Sequence, residues 1–151
     1  MPIFAGQSRR ELRRVYLEAW RKWKEQRPLE PLEAAIAAVI AEHPQLAAWL
    51  ESGEEALAAE FTPADGRVNP FLHLAMHLAL REQVATDRPA GIARIHRELA
   101  RQSPDPHAAE HAMMECLAET LYAAQESAGV PDERRYLERL ERLAGGGRRA
   151  P

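Results

Sequence analysis

The chain has one cysteine, eight glycines and an aromatic content of 6%. Cys116 by itself excludes an intramolecular disulfide and is compatible with a reducing compartment. Alternation of Val, Ile and Thr never runs long enough to propose a sheet. No stretch approaches 18 uncharged apolar residues, so no transmembrane span is expected. The N-terminal MPIFAGQSRRELRR has too few apolar residues for a signal segment, and its arginines follow them. The expectation is a soluble, cytoplasmic protein with no membrane partner. Glycine-rich phosphate loops are missing too, since the consecutive glycines fall in the C-terminal GGGRRAP. No nucleotide or organic cofactor is indicated.

Positive charge is unevenly placed. From Pro28 to Gly66 there is no Lys or Arg, while Glu30, Glu33, Glu42, Glu51, Glu54, Glu55, Glu60 and Asp65 all lie there. The preceding segment carries Arg9, Arg10, Arg13, Arg14, Arg21, Lys22 and Lys24, interleaved with Trp20 and Trp23. Such a segment can contact RNA or DNA through phosphates and stacking. The simpler expectation is a solvated basic face with both tryptophans turned into the core, complementary to the acidic region within the chain or in another subunit. A net charge of −3 disfavours nucleic acid as a partner.

What the sequence does have is helical spacing. Ser8 and Glu11 form a capping box, and Leu12, Val15, Tyr16, Ala19, Trp20 and Trp23 follow on one stripe. Pro31 suits the first turn of a second helix, which His43-Pro44 ends. Short helices are expected around 46–50 and 54–61. The stretch TPADGRVNP (62–70) reads as a loop, after which Asn69 and Pro70 start the next helix. A short amphipathic piece with Ile92, Ile95 and Leu99 precedes a long helix from about Pro106, capped by Asp105. A final helix begins near Pro131-Asp132 and carries Tyr136, Leu140 and Leu143. The predicted fold is all-α, a compact bundle of about six to seven helices. Residues 1–144 form a single helical domain and 145–151 a flexible tail.

Two of these helices, at 70–80 and 108–124, are apolar nearly all round, which predicts two central buried helices. Both carry histidines. His73 and His77 stand one turn apart and share a face. On the later helix His107, His111, Glu115 and Glu119 repeat the four-residue step. Two such helices side by side would supply three or four donors about 2.0–2.2 Å from one ion. The expected ligands are His73, His77, His111 and Glu115, a set suited to zinc, iron or manganese. His107, Glu119 and Glu82 are further ligands or acceptors for the imidazole N–H groups. An open position would allow metal-dependent hydrolysis or redox chemistry, which nothing in the sequence separates; without one the ion is structural.

Alternatively the same groups form a metal-free His/Glu hydrogen-bond network inside a protein–protein interaction module, with a homo-oligomer or another protein as partner. Neither His-Glu-x-x-His nor Glu-x-x-His occurs, so the zinc-protease and ferritin-like arrangements are not met. Met76, Met113 and Met114 read as core filling. Cys116 lacks an electropositive setting that would make it a nucleophile. His43 and His96 read as surface or otherwise satisfied residues.

The segments EAWRKW, PLEAAIAAVIAEHP, DGRVNPFLHLAMHLALREQ and HAAEHAMMECLAETLYAAQ span most of the chain. In their wording it resembles the bacterial family known as domain of unknown function 1841. The resemblance implies a compact helical protein and supplies no catalytic residues.

Overall fold

The computed structural model describes residues 9–59, 69–127 and 129–146. Ser8 of the expected capping box, most of the 62–70 loop and residues 147–151 of the expected tail lie outside them. The described residues form eight helices and no strand. These are α1 (Arg9–Lys24), α2 (Pro31–Ala41), α3 (Pro44–Leu50), α4 (Glu54–Ala58), α5 (Pro70–Thr86), α6 (Ile92–Gln102), α7 (Pro106–Glu126) and α8 (Glu133–Gly146). Among the described residues, no helix is long and apolar enough to cross a membrane.

Four helices, α2, α3, α5 and α7, open on proline. At the first helical position the missing N–H would have no intrahelical partner in any case, and the fixed φ is already helical. Side chains cap the orphan donors beside them. Asn69 accepts from the N–H groups of Phe71 and Leu72 at 3.0 and 3.3 Å. Asp105 accepts from Ala108 at 2.8 Å, and the Glu33 carboxylate accepts from the Glu30 N–H at 2.9 Å. Before α6, Gly91 adopts a left-handed φ of 104°, a conformation costly for a residue with a Cβ.

The chain divides into two compact units, Met1–Leu78 and Ala79–Pro151. In the first, α1 packs on α2 and α4, and α2 on α3. Its core holds Tyr16, Trp20, Ile36, Val39, Ile40, Leu46, Leu50, Leu57, Phe71 and Leu74. Phe71 lies between aromatic neighbours, with ring centroids 6.0 Å from Tyr16 and 4.9 Å from Trp49. Arg13 departs from the expected solvated basic face. It is buried, its guanidinium sits 4.5 Å from the Phe71 ring centroid, and its Nη1 donates to the Leu57 and Ala59 carbonyls at 3.1 and 2.6 Å. The orphan carbonyls at the end of α4 thus receive a cation, which the helix dipole favours. Trp23 also departs from expectation. It is 46% exposed and stacks on buried Trp20 at 4.8 Å, because α1 ends one residue later, at Lys24.

In the second unit α6, α7 and α8 pack pairwise around Ile92, Ile95, Leu99, Met113, Leu117, Tyr136 and Leu140. Polar groups tie the helices together. The Tyr136 hydroxyl donates to Gln83 Oε1 at 2.7 Å, Arg139 donates to Thr120 at 2.9 Å, and the Gln102 amide donates to the Ala144 carbonyl at 2.9 Å.

The two helices expected to be buried all round are not. Of its apolar residues α5 buries Phe71, Leu74 and Leu80, with His77 on the same three-residue repeat, and leaves Leu72 57% exposed. On α7, Leu121 and Tyr122 are exposed. Apolar composition overstates burial because much of any folded surface is apolar.

Candidate metal centre

Three imidazoles converge in the first unit. His73 and His77 project from one face of α5, and their rings meet edge-on with centroids 4.7 Å apart. Their Nε2 atoms are 3.1 Å apart. His43 comes from the corner between α2 and α3, and its Nε2 lies 3.2 Å from that of His73. Its ring centroid is 5.0 Å from that of His73 and 4.7 Å from that of His77. His77 is fully buried, whereas His43 and His73 are half-buried.

Local backbone geometry sets the His43 ring. Pro44 keeps the preceding residue out of the helical region, and His43 has φ −128° and ψ 79°. Its side chain folds back over the last turn of α2, where Nδ1 lies 2.8 Å from the Val39 carbonyl oxygen. A carbonyl can only accept, so Nδ1 carries the proton. In the neutral ring Nε2 then presents its lone pair toward the other two imidazoles. A backbone carbonyl holding the far nitrogen of an imidazole is the usual support for a metal-ligating histidine.

The second histidine set stands on α7 in the second unit. His107 and His111 are half-buried, with rings 4.1 Å apart and nearly perpendicular. One ring nitrogen of each lies within 4.8 Å of the other, as holds also for His43 and His77. The carboxylates expected beside them stand elsewhere. Glu115 and Glu119 are exposed on α7, and Glu119 pairs with Arg139 at 3.4 Å. Glu82 is exposed on α5. Cys116 is buried, and desolvation together with the nearby Glu119 carboxylate raises its thiol pKa. That excludes the thiolate character a nucleophile needs at neutral pH.

Helical spacing puts His73 beside His77 and His107 beside His111, because a four-residue step on a helix is a local property. His43, which reads in the sequence as a surface or satisfied residue, instead joins the α5 pair. Its one local signal was His-Pro at a helix end, which turns the imidazole back over the preceding turn. Glu110 carries no such local signal, yet it is buried and accepts from Arg81 Nε with both carboxylate oxygens at 3.1 Å.

No curated protein and no solved structure matches the chain. The family model described as domain of unknown function (DUF1841) matches residues 8–142, and the chain belongs to that family.

Proposed function

We propose that this protein binds a transition metal at the converging imidazoles of its first unit. His43, His73 and His77 supply its nitrogen donors. Zinc, iron and manganese all accept imidazole nitrogen.

The observation that carries the proposal is the crowding at His73 Nε2. Two other Nε2 atoms lie 3.1 and 3.2 Å from it. A neutral imidazole nitrogen has either one hydrogen or one lone pair, so it makes one good hydrogen bond along one direction. Hydrogen bonding serves one of those neighbours well and leaves the other poorly aligned. A shared ion serves both. Nitrogen ligands about 2.0–2.2 Å from one metal, at octahedral or tetrahedral angles, stand roughly 2.8–3.6 Å apart. The Nδ1 support of His43 by Val39 fits the same role.

Elemental analysis by mass spectrometry, on untagged protein purified without chelator, tests this. Near-stoichiometric metal is expected in the wild type, with loss in His77→Ala and His43→Ala and retention in Glu115→Ala. Retention is expected in His111→Ala too, since that residue stands in the second unit. Absence of metal from the wild type, with no uptake of zinc or ferrous iron on titration, would falsify the proposal. The histidines would then be the hydrogen-bond network of a metal-free interaction module, in which His77→Ala costs stability alone.

A further inference from the structure

A cavity of about 610 Å³ opens beside the converging imidazoles, within the size range of small-molecule sites. It lies wholly in the first unit, and His43 and His73 both line it. His77 does not line it and is fully buried. An ion held by the three imidazoles is therefore approached from the His43 and His73 side, and the cavity is the path by which a molecule reaches it.

The walls state what that molecule is made of. Leu46 and Pro70 are apolar, and the half-buried indole of Trp49 is held edge-on against Phe71. An indole fixed in this way offers a rigid aromatic surface to a second ring at low entropic cost. The exposed side chains of Glu42 and Gln45 line the cavity on its solvent side. Neutral imidazoles leave the charge of a divalent ion uncompensated, so the inner end favours an anion. That selects one orientation, with the anionic head inward and the apolar body along Trp49.

We infer that the cavity binds a small aromatic carboxylate, its carboxylate on the metal and its ring against Trp49. This rests on the metal proposal above. A three-histidine zinc site commonly leaves a fourth position open, which the carboxylate would take.

The test uses full-length protein loaded with cobalt(II), whose visible absorption reports a change of ligand. Benzoate and acetate offer the metal the same head group and differ in the ring. Benzoate is expected to perturb the cobalt spectrum at a concentration about tenfold lower than acetate, the gain a buried ring supplies. It should also change tryptophan fluorescence, which acetate leaves alone. Trp49→Leu should narrow the gap while retaining cobalt and acetate binding. If cobalt binds and benzoate is no tighter than acetate in the wild type, the aromatic inference is overturned and the metal site stands. If cobalt does not bind, both are overturned.

Discussion

Arg81 Nε stands 3.1 Å from each oxygen of the Glu110 carboxylate, across 29 residues of chain. The pair joins α5 to α7 within the second unit. Glu110 is 8% exposed, a burial that a carboxylate tolerates when a cation and hydrogen bonds compensate it. Arg81→Met should lower stability by about 1–3 kcal/mol, read from urea unfolding. The double variant Arg81→Met, Glu110→Leu should recover part of that loss, because no buried charge is left behind. A double variant no more stable than Arg81→Met would show that the ion pair contributes beyond offsetting its own desolvation.

Glu33 links local capping to the charge pattern of the chain. Its carboxylate accepts from Lys22 Nζ at 2.7 Å and from the Glu30 N–H at 2.9 Å, and these contacts lower its pKa, the Lys22 bond most. A carboxyl whose folded pKa lies below its unfolded value of about 4.5 stabilises the fold above that value. The contribution disappears as pH falls through the folded pKa. Wild type should therefore be more stable than Glu33→Gln at neutral pH, with the difference closing as pH falls below the ordinary carboxylate value and through the lowered folded pKa. Thermal unfolding of both proteins across that window measures it, and a pH-independent difference would rule out the linkage.

Cys116 is expected to be unreactive in the folded protein. Burial is the main reason its thiol pKa is raised, and Glu119 adds to it against the opposing charge of Arg139. Thiolate is the reacting species, so both its low population and its low access slow alkylation. Iodoacetamide labelling at neutral pH should be slow in the native state and rapid in urea. Rapid native labelling would mean that α7 opens locally far more often than its packing implies.

Much of the fold could be read from local chemistry. Pro31, Pro70 and Pro106 begin helices, and Asn69 and Asp105 cap two of them, because first-turn geometry depends on a few adjacent residues. The short segments near 46–50 and 54–58 form separate helices and bring the count to eight among the described residues. What a helix touches is not local. Arg13 lies in a run of arginines that composition assigns to solvent, yet two carbonyls at the end of α4 and the Phe71 ring draw it inside. Leu72 reads as core and is exposed, since nothing in its side chain says which turn of the helix faces a neighbour.

The candidate site divides along the same line. Helical periodicity puts His73 beside His77 and His107 beside His111. It says nothing of His43, thirty residues before His73, whose approach depends on α2 and α3 turning a corner over α5. Glu115 and Glu119 have the spacing of ligands without the placement.

His43 holds more than a ring in position. Its N–H donates to the Ile40 carbonyl at 2.9 Å, closing α2, and its own carbonyl accepts from Ala47 at 3.0 Å, opening α3. The residue that turns the chain is thus also a donor in the candidate centre. Any ion coordinated there would be thermodynamically linked to the α2–α3 corner: ligation would favour the bent chain, and bending would raise affinity. Free metal above its dissociation constant would then raise the unfolding temperature in proportion to the logarithm of its concentration. A chelator would act on this protein as a mild denaturant, felt first where two helices meet.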